Sequence, residues 1–207
     1  MAWEGAFDER DVEADPFAQF ARWFDQAVAA GVPEPEAMCL ATARDGVPSA
    51  RMVLLKGVDA RGFAFFTNYR SPKGRDLATN PQAALVWRWH AQQRQVRATG
   101  AVERVDDAES DAYFATRARG SQISAWASPQ STVLADRAEL EREVAAVEAR
   151  FAGLAVTRPT WWGGFRVVPS AVEFWQGRPD RLHDRVRYLA EPDGRGPPRW
   201  RIARLAP

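Results

Sequence analysis

The spacing of apolar residues changes period along the chain, and each change marks an element. Asp15 can cap a helix, Pro16 suits its first position, Phe17, Phe20, Phe24 and Val28 recur at helical spacing, and Gly31 can close it. The acidic stretch before Asp15 reads as a loose tail. The middle reads as antiparallel sheet. Ala37–Ala43 is a strand candidate, Asp45-Gly46 a hairpin turn, and Arg51–Val58 the returning strand, with Met52, Val53, Leu54 and Leu55 in one apolar stretch. A turn at Asp59–Gly62 leads to Phe63–Thr67. Lys73–Ala78 predicts a short helix broken by Asn80-Pro81, and Ala83–Trp89 and Gln95–Glu103 predict two further strands. Helices follow at Ala108–Thr116, Ser121–Ala127 and Asp136–Phe151, the last with Leu140, Val144, Val147 and Phe151 at helical spacing. Sheet resumes at Gly164–Val168 and Ala171–Trp175, Gly194–Pro198 reads as a surface turn, and Trp200–Leu205 as a last strand. Strands in succession with short turns, rather than βαβ units, predict an α+β fold whose sheet is a barrel or sandwich. Without repeats or linkers, residues 1–207 read as one domain.

Composition adds limits. The 207 residues are 46% hydrophobic and 27% charged, enough for a core, and the net charge of +1 gives no reason to expect nucleic acid or an acidic membrane as partner. One cysteine, Cys39, excludes an intrachain disulfide and predicts a reducing compartment; its apolar run, Ala37–Ala41, predicts a buried structural thiol. Two histidines, His90 and His183, argue against a closed zinc site. The N-terminus lacks the basic and apolar regions of a signal peptide, and no apolar run approaches the roughly 18 residues that span a bilayer. The expectation is a cytoplasmic protein.

Four groups of polar residues exceed what a barrel requires. Arg51 and Lys56 flank the Met52–Leu55 stretch, and Ser71, Lys73 and Arg75 follow Phe66-Thr67-Asn68, a set that suits a phosphate as well as a solvated turn. Gln95, at a strand start, and Gln130-Ser131 can read the edge of a polar heterocycle or simply satisfy loops. Tyr113, Arg117 and Ser121 are four apart and converge if their helix continues or turns gently, which suits a second phosphate; an amphipathic helix surface has the same spacing. Arg181, His183 and Arg185 alternate and in an extended segment face one way. No G-x-G-x-x-G follows a strand and there is no G-x-x-x-x-G-K-[ST], so neither a Rossmann nor a P-loop site is indicated.

Taken in order, these segments resemble the pyridoxine/pyridoxamine 5′-phosphate oxidase family. The matching pieces are Arg51–Lys56, Phe66-Thr67-Asn68, Arg94-Gln95-Val96, Tyr113-Phe114 with Arg117, and Ser121–Trp126 with Gln130-Ser131. They continue in Trp162–Arg166, Glu173–Gly177, Arg181–Arg185 and the closing Arg204-Leu205-Ala206-Pro207. The resemblance runs from about Met38 to the end. It implies an antiparallel split β-barrel with flanking helices, forming a homodimer with FMN in clefts at the subunit interface. It implies FMN contacts at Arg51, Met52, Val53, Leu54, Leu55, Lys56, Phe66, Thr67, Lys73, Gln95, Gln130, Ser131, Trp175 and Arg185. It implies a substrate-phosphate site at Lys56, Tyr113, Arg117 and Ser121, with Arg181 and His183 as the catalytic groups over the substrate's pyridine ring. The implied reaction is oxidation of pyridoxine or pyridoxamine 5′-phosphate by O2. Two departures stand out. The family usually has Ser-Arg-Lys where this chain has Ser71-Pro72-Lys73, leaving Arg70 or Arg75 as candidate replacements for the lost cation, and Phe66 is often Tyr. Other readings are a phenazine-type oxidase on the same barrel, an F420-dependent reductase, and a non-catalytic flavin- or pyridoxal-phosphate-binding module. Phenazine-type relatives lack the segment found here as Ser121–Trp126, and F420 enzymes generally lack the Arg181–Arg185 end.

Overall fold

A computed structural model describes residues 7–191 and 199–207; the turn expected at Gly194–Pro198 lies outside the described residues. Helix α1 (Pro16–Ala29) begins as its sequence dictates, with the Asp15 carboxylate accepting from the Phe17 N–H. Its buried stripe differs from the expected one. Phe20, Trp23 and Ala27 are buried, Phe17 and Phe24 only partly so, and Val28 is 53% exposed. Trp23, one turn beyond Phe20, takes the inner position because the larger ring closes against Phe174 and Phe7. Phe20 touches Phe63 and Trp87 edge-on and stacks beside Phe24. Phe20→Ala should therefore cost about 3–5 kcal/mol, read as a lowered midpoint in urea with an unchanged slope.

Strand β1 (Ala37–Arg44) turns through Asp45 and Gly46, both at positive φ, into β2 (Val47–Leu54). The expected Arg51–Val58 strand is two strands. The chain changes partner at Leu55-Lys56, where the Leu55 N–H donates to Glu36 O and the Lys56 N–H to Ala64 O, and β3 (Gly57–Asp59) pairs with β4 (Gly62–Asn68). Apolar period cannot register a change of partner. The next strands are β5 (Gln82–Trp89), β6 (Arg94–Arg104) and β7 (Trp162–Gln176). Strand β7 is continuous where the sequence predicts two strands. A register shift opposite Thr99/Gly100 leaves Ser170 as the extra residue, so the Pro169-Ser170 break is a bulge and not an end.

Strand β7 is also where the sheet divides. β6 runs along one side of it; on the other, its first half pairs with β4 and its second half with β8 (Asp184–Glu191), which in turn pairs with β9 (Arg199–Arg204). The architecture is an α+β antiparallel split barrel. One core holds Phe63, Phe65, Trp87, Trp89, Phe174 and Tyr188 under α1. A smaller one, Phe114, Ile123, Phe151, Val156 and Trp162, lies under α3 (Asp107–Thr116), α4 (Arg119–Ala127) and α5 (Arg137–Arg150). Helix α2 (Pro72–Thr79) starts from the Ser71 cap.

Three further expectations are corrected. Cys39 is half-buried, because the inward positions of β1 are Met38, Leu40 and Thr42. The segment from Phe7 on, read as a loose tail, has fixed partners: Phe7 is buried on Trp23, and the Tyr188 hydroxyl donates to Glu13 O. Arg181 does not alternate with His183 and Arg185. It sits in a 3-10 turn (Pro179–Arg181) at φ 61, and the strand begins only at Asp184.

Candidate active site

Strands β2 and β4 with helices α2–α5 enclose a cleft of about 910 Å³. Of the residues singled out from sequence, Arg51, Met52, Val53, Leu54, Lys56, Phe66, Thr67, Lys73, Tyr113, Arg117, Ser121 and Gln130 line it. Four of its lining side chains are cations and none is a carboxylate, in a chain whose net charge is only +1. The volume is that of a cofactor or substrate site.

One cationic group is built from three elements. Ser71 caps α2 and Pro72 takes the first helical position, which needs no N–H donor. Lys73 follows, 8% exposed, with its Nζ donating to Thr67 Oγ1, Ser71 Oγ and Gln130 Oε1, each at 3.3 Å. All three acceptors are neutral. Burial and the nearby Arg51 push the Lys73 amine below its ordinary value, because nothing negative compensates its charge. Arg51 is held from behind. Its Nη1 donates to Thr42 Oγ1 at 2.7 Å, and that hydroxyl donates to Asp76 Oδ2 at 2.7 Å. Thr42 and Asp76 were missed from sequence, although Thr42 is the polar exception on β1's inward face. Arg70 and Arg75 do not replace the cation lost at Pro72. The Arg70 guanidinium lies over Trp161 at 4.7 Å, Arg75 donates to Arg70 O, and both line a neighbouring cleft instead.

A second group stands on an aromatic wall. Phe66 stacks on Tyr113 (4.0 Å) and on Trp162 (5.6 Å). Helix α3 ends at Thr116, and Arg117 has extended backbone before α4, so the expected four-residue spacing is interrupted. Tyr113, Arg117 and Ser121 nevertheless all reach the cleft. The Arg117 guanidinium lies 4.6 Å over the Trp162 ring, and its buried Nη1 has no hydrogen-bond partner among the described residues. Burial lowers the Arg117 pKa. A buried, unpaired N–H on a cation costs stability.

The remaining candidates lie elsewhere. Arg88, Gln95, Trp175 and Arg185 are successive cross-strand partners on β5, β6, β7 and β8 and so share one face of the sheet. The Arg88 guanidinium is 5.4 Å from the Trp175 ring, and the His183 ring is 4.6 Å from it on the same face. His183 Nδ1 accepts from the Arg178 N–H at 3.1 Å; Asp184 pairs with Arg178 and Arg204 rather than with His183. Arg181 is exposed in its turn, and Ser131, at φ 69, is exposed beside Gln130. Leu55 is buried in the core. None of Leu55, Gln95, Ser131, Trp175, Arg181, His183 and Arg185 lines the 910 Å³ cleft. Within one chain the candidate residues thus divide between the cleft and the sheet face of Gln95, Trp175 and Arg185 with His183, while Leu55, Ser131 and Arg181 belong to neither.

Comparison with known proteins shows the family. Residues 24–151 match the model of the pyridoxamine 5′-phosphate oxidase family, and residues 162–207 match that of the pyridoxine 5′-phosphate oxidase C-terminal dimerisation region. The chain belongs to the pyridoxine/pyridoxamine 5′-phosphate oxidase family, and is an oxidoreductase. A pyridoxine/pyridoxamine 5′-phosphate oxidase of Cupriavidus taiwanensis is 57% identical over 204 residues, covering 98% of this chain and 94% of that one. One from Bordetella petrii is 59% identical over 200 residues, covering 96% and 92%. Among solved structures, PhzG from Burkholderia lata in complex with tetrahydrophenazine-1-carboxylic acid superposes with a TM-score of 0.90 at 33% identity over the whole of both chains. An FMN-binding protein from Nostoc punctiforme has a TM-score of 0.72 at 16% identity, covering 95% of this chain and all of that one, and shares the fold. The C-terminal region of the family begins at Trp162, the first residue of β7.

Proposed function

We propose that the protein is a cytoplasmic homodimer that binds FMN and oxidises pyridoxamine and pyridoxine 5′-phosphates with O2. The products are pyridoxal 5′-phosphate and hydrogen peroxide, with water consumed and ammonia released from the amine. The observation that carries the reading is the cleft itself: four cations, no carboxylate and an aromatic wall, a set made for planar ligands bearing phosphate. The chain is read as one unit, since β7 of its C-terminal region is the partner of β4 and β6.

Lys73 and Arg51, with Thr67 and Gln130, fit the FMN phosphate, with Ser131 exposed beside Gln130: the amine is buried against neutral acceptors and lacks a counter-charge. Met52–Leu54 and Phe66 border the same cleft and suit the flavin body, while Leu55 supports it from the core. When bound, FMN supplies the two-electron acceptor for the substrate's C4′–H, and O2 removes those electrons. The chain's own groups bind and orient. Arg117, Lys56, Ser121 and Tyr113, which line the cleft together, hold the substrate phosphate. That anchor fixes the ring in register for reaction. Gln95, Trp175, Arg181, His183 and Arg185 are proposed to serve the cleft of a second copy, because they do not line their own. There Arg181 covers the substrate ring and His183 bonds a ring substituent or moves its proton.

Purified protein given FMN and pyridoxamine 5′-phosphate should consume O2 and form pyridoxal phosphate in equal amounts. Flavin uptake with no turnover would favour the second reading, a phenazine-type oxidase, which the PhzG superposition keeps open. The first is preferred because relatives at 56–59% identity bear the B6-oxidase name, against 33% for PhzG.

A further inference from the structure

The C-terminal half of helix α3 packs through Tyr113 and Phe114 on Phe66 and Trp162, but its first turn buries no apolar side chain, only Ser110. Charge holds that turn. The side chain of Arg158 is 9% exposed, and its guanidinium spends three N–H groups in three directions. Nε donates to Asp111 Oδ1 at 2.6 Å, Nη2 to Asp107 Oδ1 at 2.6 Å, and Nη1 to the Trp162 carbonyl at 2.7 Å. One planar group therefore ties the first turns of α3 to the first residue of β7, a task that lysine's point charge cannot reproduce. The two tied parts make the candidate phosphate site. Arg117 is the residue that directly follows α3, and Trp162 is the ring beneath its guanidinium. Arg166 pairs with Glu109 at 2.7 Å on the same helix, so α3 keeps a second tether if the first is cut.

We propose that Arg158 is a positioning residue for the substrate's phosphate: by clamping α3 to Trp162 it sets where the Arg117 side chain stands at the edge of the cleft. The proposal rests on the reading that this cleft takes a phosphorylated substrate. It touches no substrate itself, and its effect passes through Arg117.

The test uses the FMN-loaded protein with two probes, pyridoxal 5′-phosphate and pyridoxal, which differ only in the phosphate. In Arg158→Leu, pyridoxal phosphate binding should weaken about tenfold while pyridoxal binding stays unchanged, since a small displacement of an anchor removes its bond and no other. KM for pyridoxamine 5′-phosphate should rise by the same factor with kcat retained, and Arg158→Lys should fall between. Asp107→Asn with Asp111→Asn, both at exposed carboxylates, should reproduce the loss and add nothing when combined with Arg158→Leu. Equal weakening of both probes, or none, would overturn the proposal. If the unsubstituted protein makes no distinction between the probes, the phosphate reading of the cleft fails first and the proposal falls with it.

Discussion

Lys73→Met should weaken FMN binding by about 10- to 100-fold and leave riboflavin binding unchanged, while making the ligand-free protein more stable. The first effect is the loss of a hydrogen-bonded cation at the phosphate, about 1.5–3 kcal/mol. Riboflavin lacks the phosphate, so it reports on the rest of the cleft. The second effect follows from burial. The Lys73 amine sits below its ordinary value of 10.5 because burial and Arg51 disfavour its charge. Between the folded value and 10.5 the unfolded chain binds a proton that the folded chain has lost, so ligand-free stability rises with pH across that window. Below the window both states are charged and the full cost of burying the amine remains. Methionine removes the cost and the pH dependence together. Thermal melts of the two proteins at several pH values, with FMN and riboflavin titrations, check each part. Equal losses for FMN and riboflavin would place Lys73 away from the phosphate.

The second large effect is restoration of activity by mixing two inactive variants. Arg51→Ala with Lys73→Met disables the cleft, and Arg181→Ala disables the turn before β8. If each cleft is completed by the other copy, a mixed dimer carries one site with both lesions and one with none. Random reassortment should then restore roughly a quarter of the unsubstituted activity. Recovery measured after co-expression with separable tags checks this, and no recovery would mean that each chain completes its own site. The same design tests Gln95, Trp175 and Arg185, which share a sheet face and lie outside the cleft of their own chain.

How much of this was legible in the sequence depends on the range of the interaction concerned. The Asp15 cap and the Asp45-Gly46 turn are local and read directly, whereas the apolar run Ala37–Ala41 hides the alternation that turns Met38, Leu40 and Thr42 inward and leaves Cys39 half-buried. The break at Leu55-Lys56 and the continuity of β7 through Pro169 are set by partners distant in sequence, so period misjudged both. The site divides the same way. The residue types at Arg51, Lys73 and Arg117 point to phosphate, but their meeting across β2, α2 and α3 is a tertiary fact. Tyr113, Arg117 and Ser121 share the cleft although the helical argument for their convergence fails at Arg117. Arg181 misled because alternation assumes an extended backbone, whereas Asp180 and Arg181 both adopt positive φ. The Thr42–Asp76 support behind Arg51, and Arg158 behind α3, bond across elements, and no spacing announces them.

The most direct measurement is anaerobic mixing of the FMN-loaded protein with pyridoxamine 5′-phosphate while the flavin absorbance is followed. The account predicts bleaching of the bound flavin with one pyridoxal phosphate formed per FMN, and recovery of the yellow colour when O2 is admitted. A flavin that stays yellow with pyridoxamine and pyridoxine phosphates but is bleached by a tetrahydrophenazine carboxylate would contradict it and assign the cleft to the phenazine-type reaction.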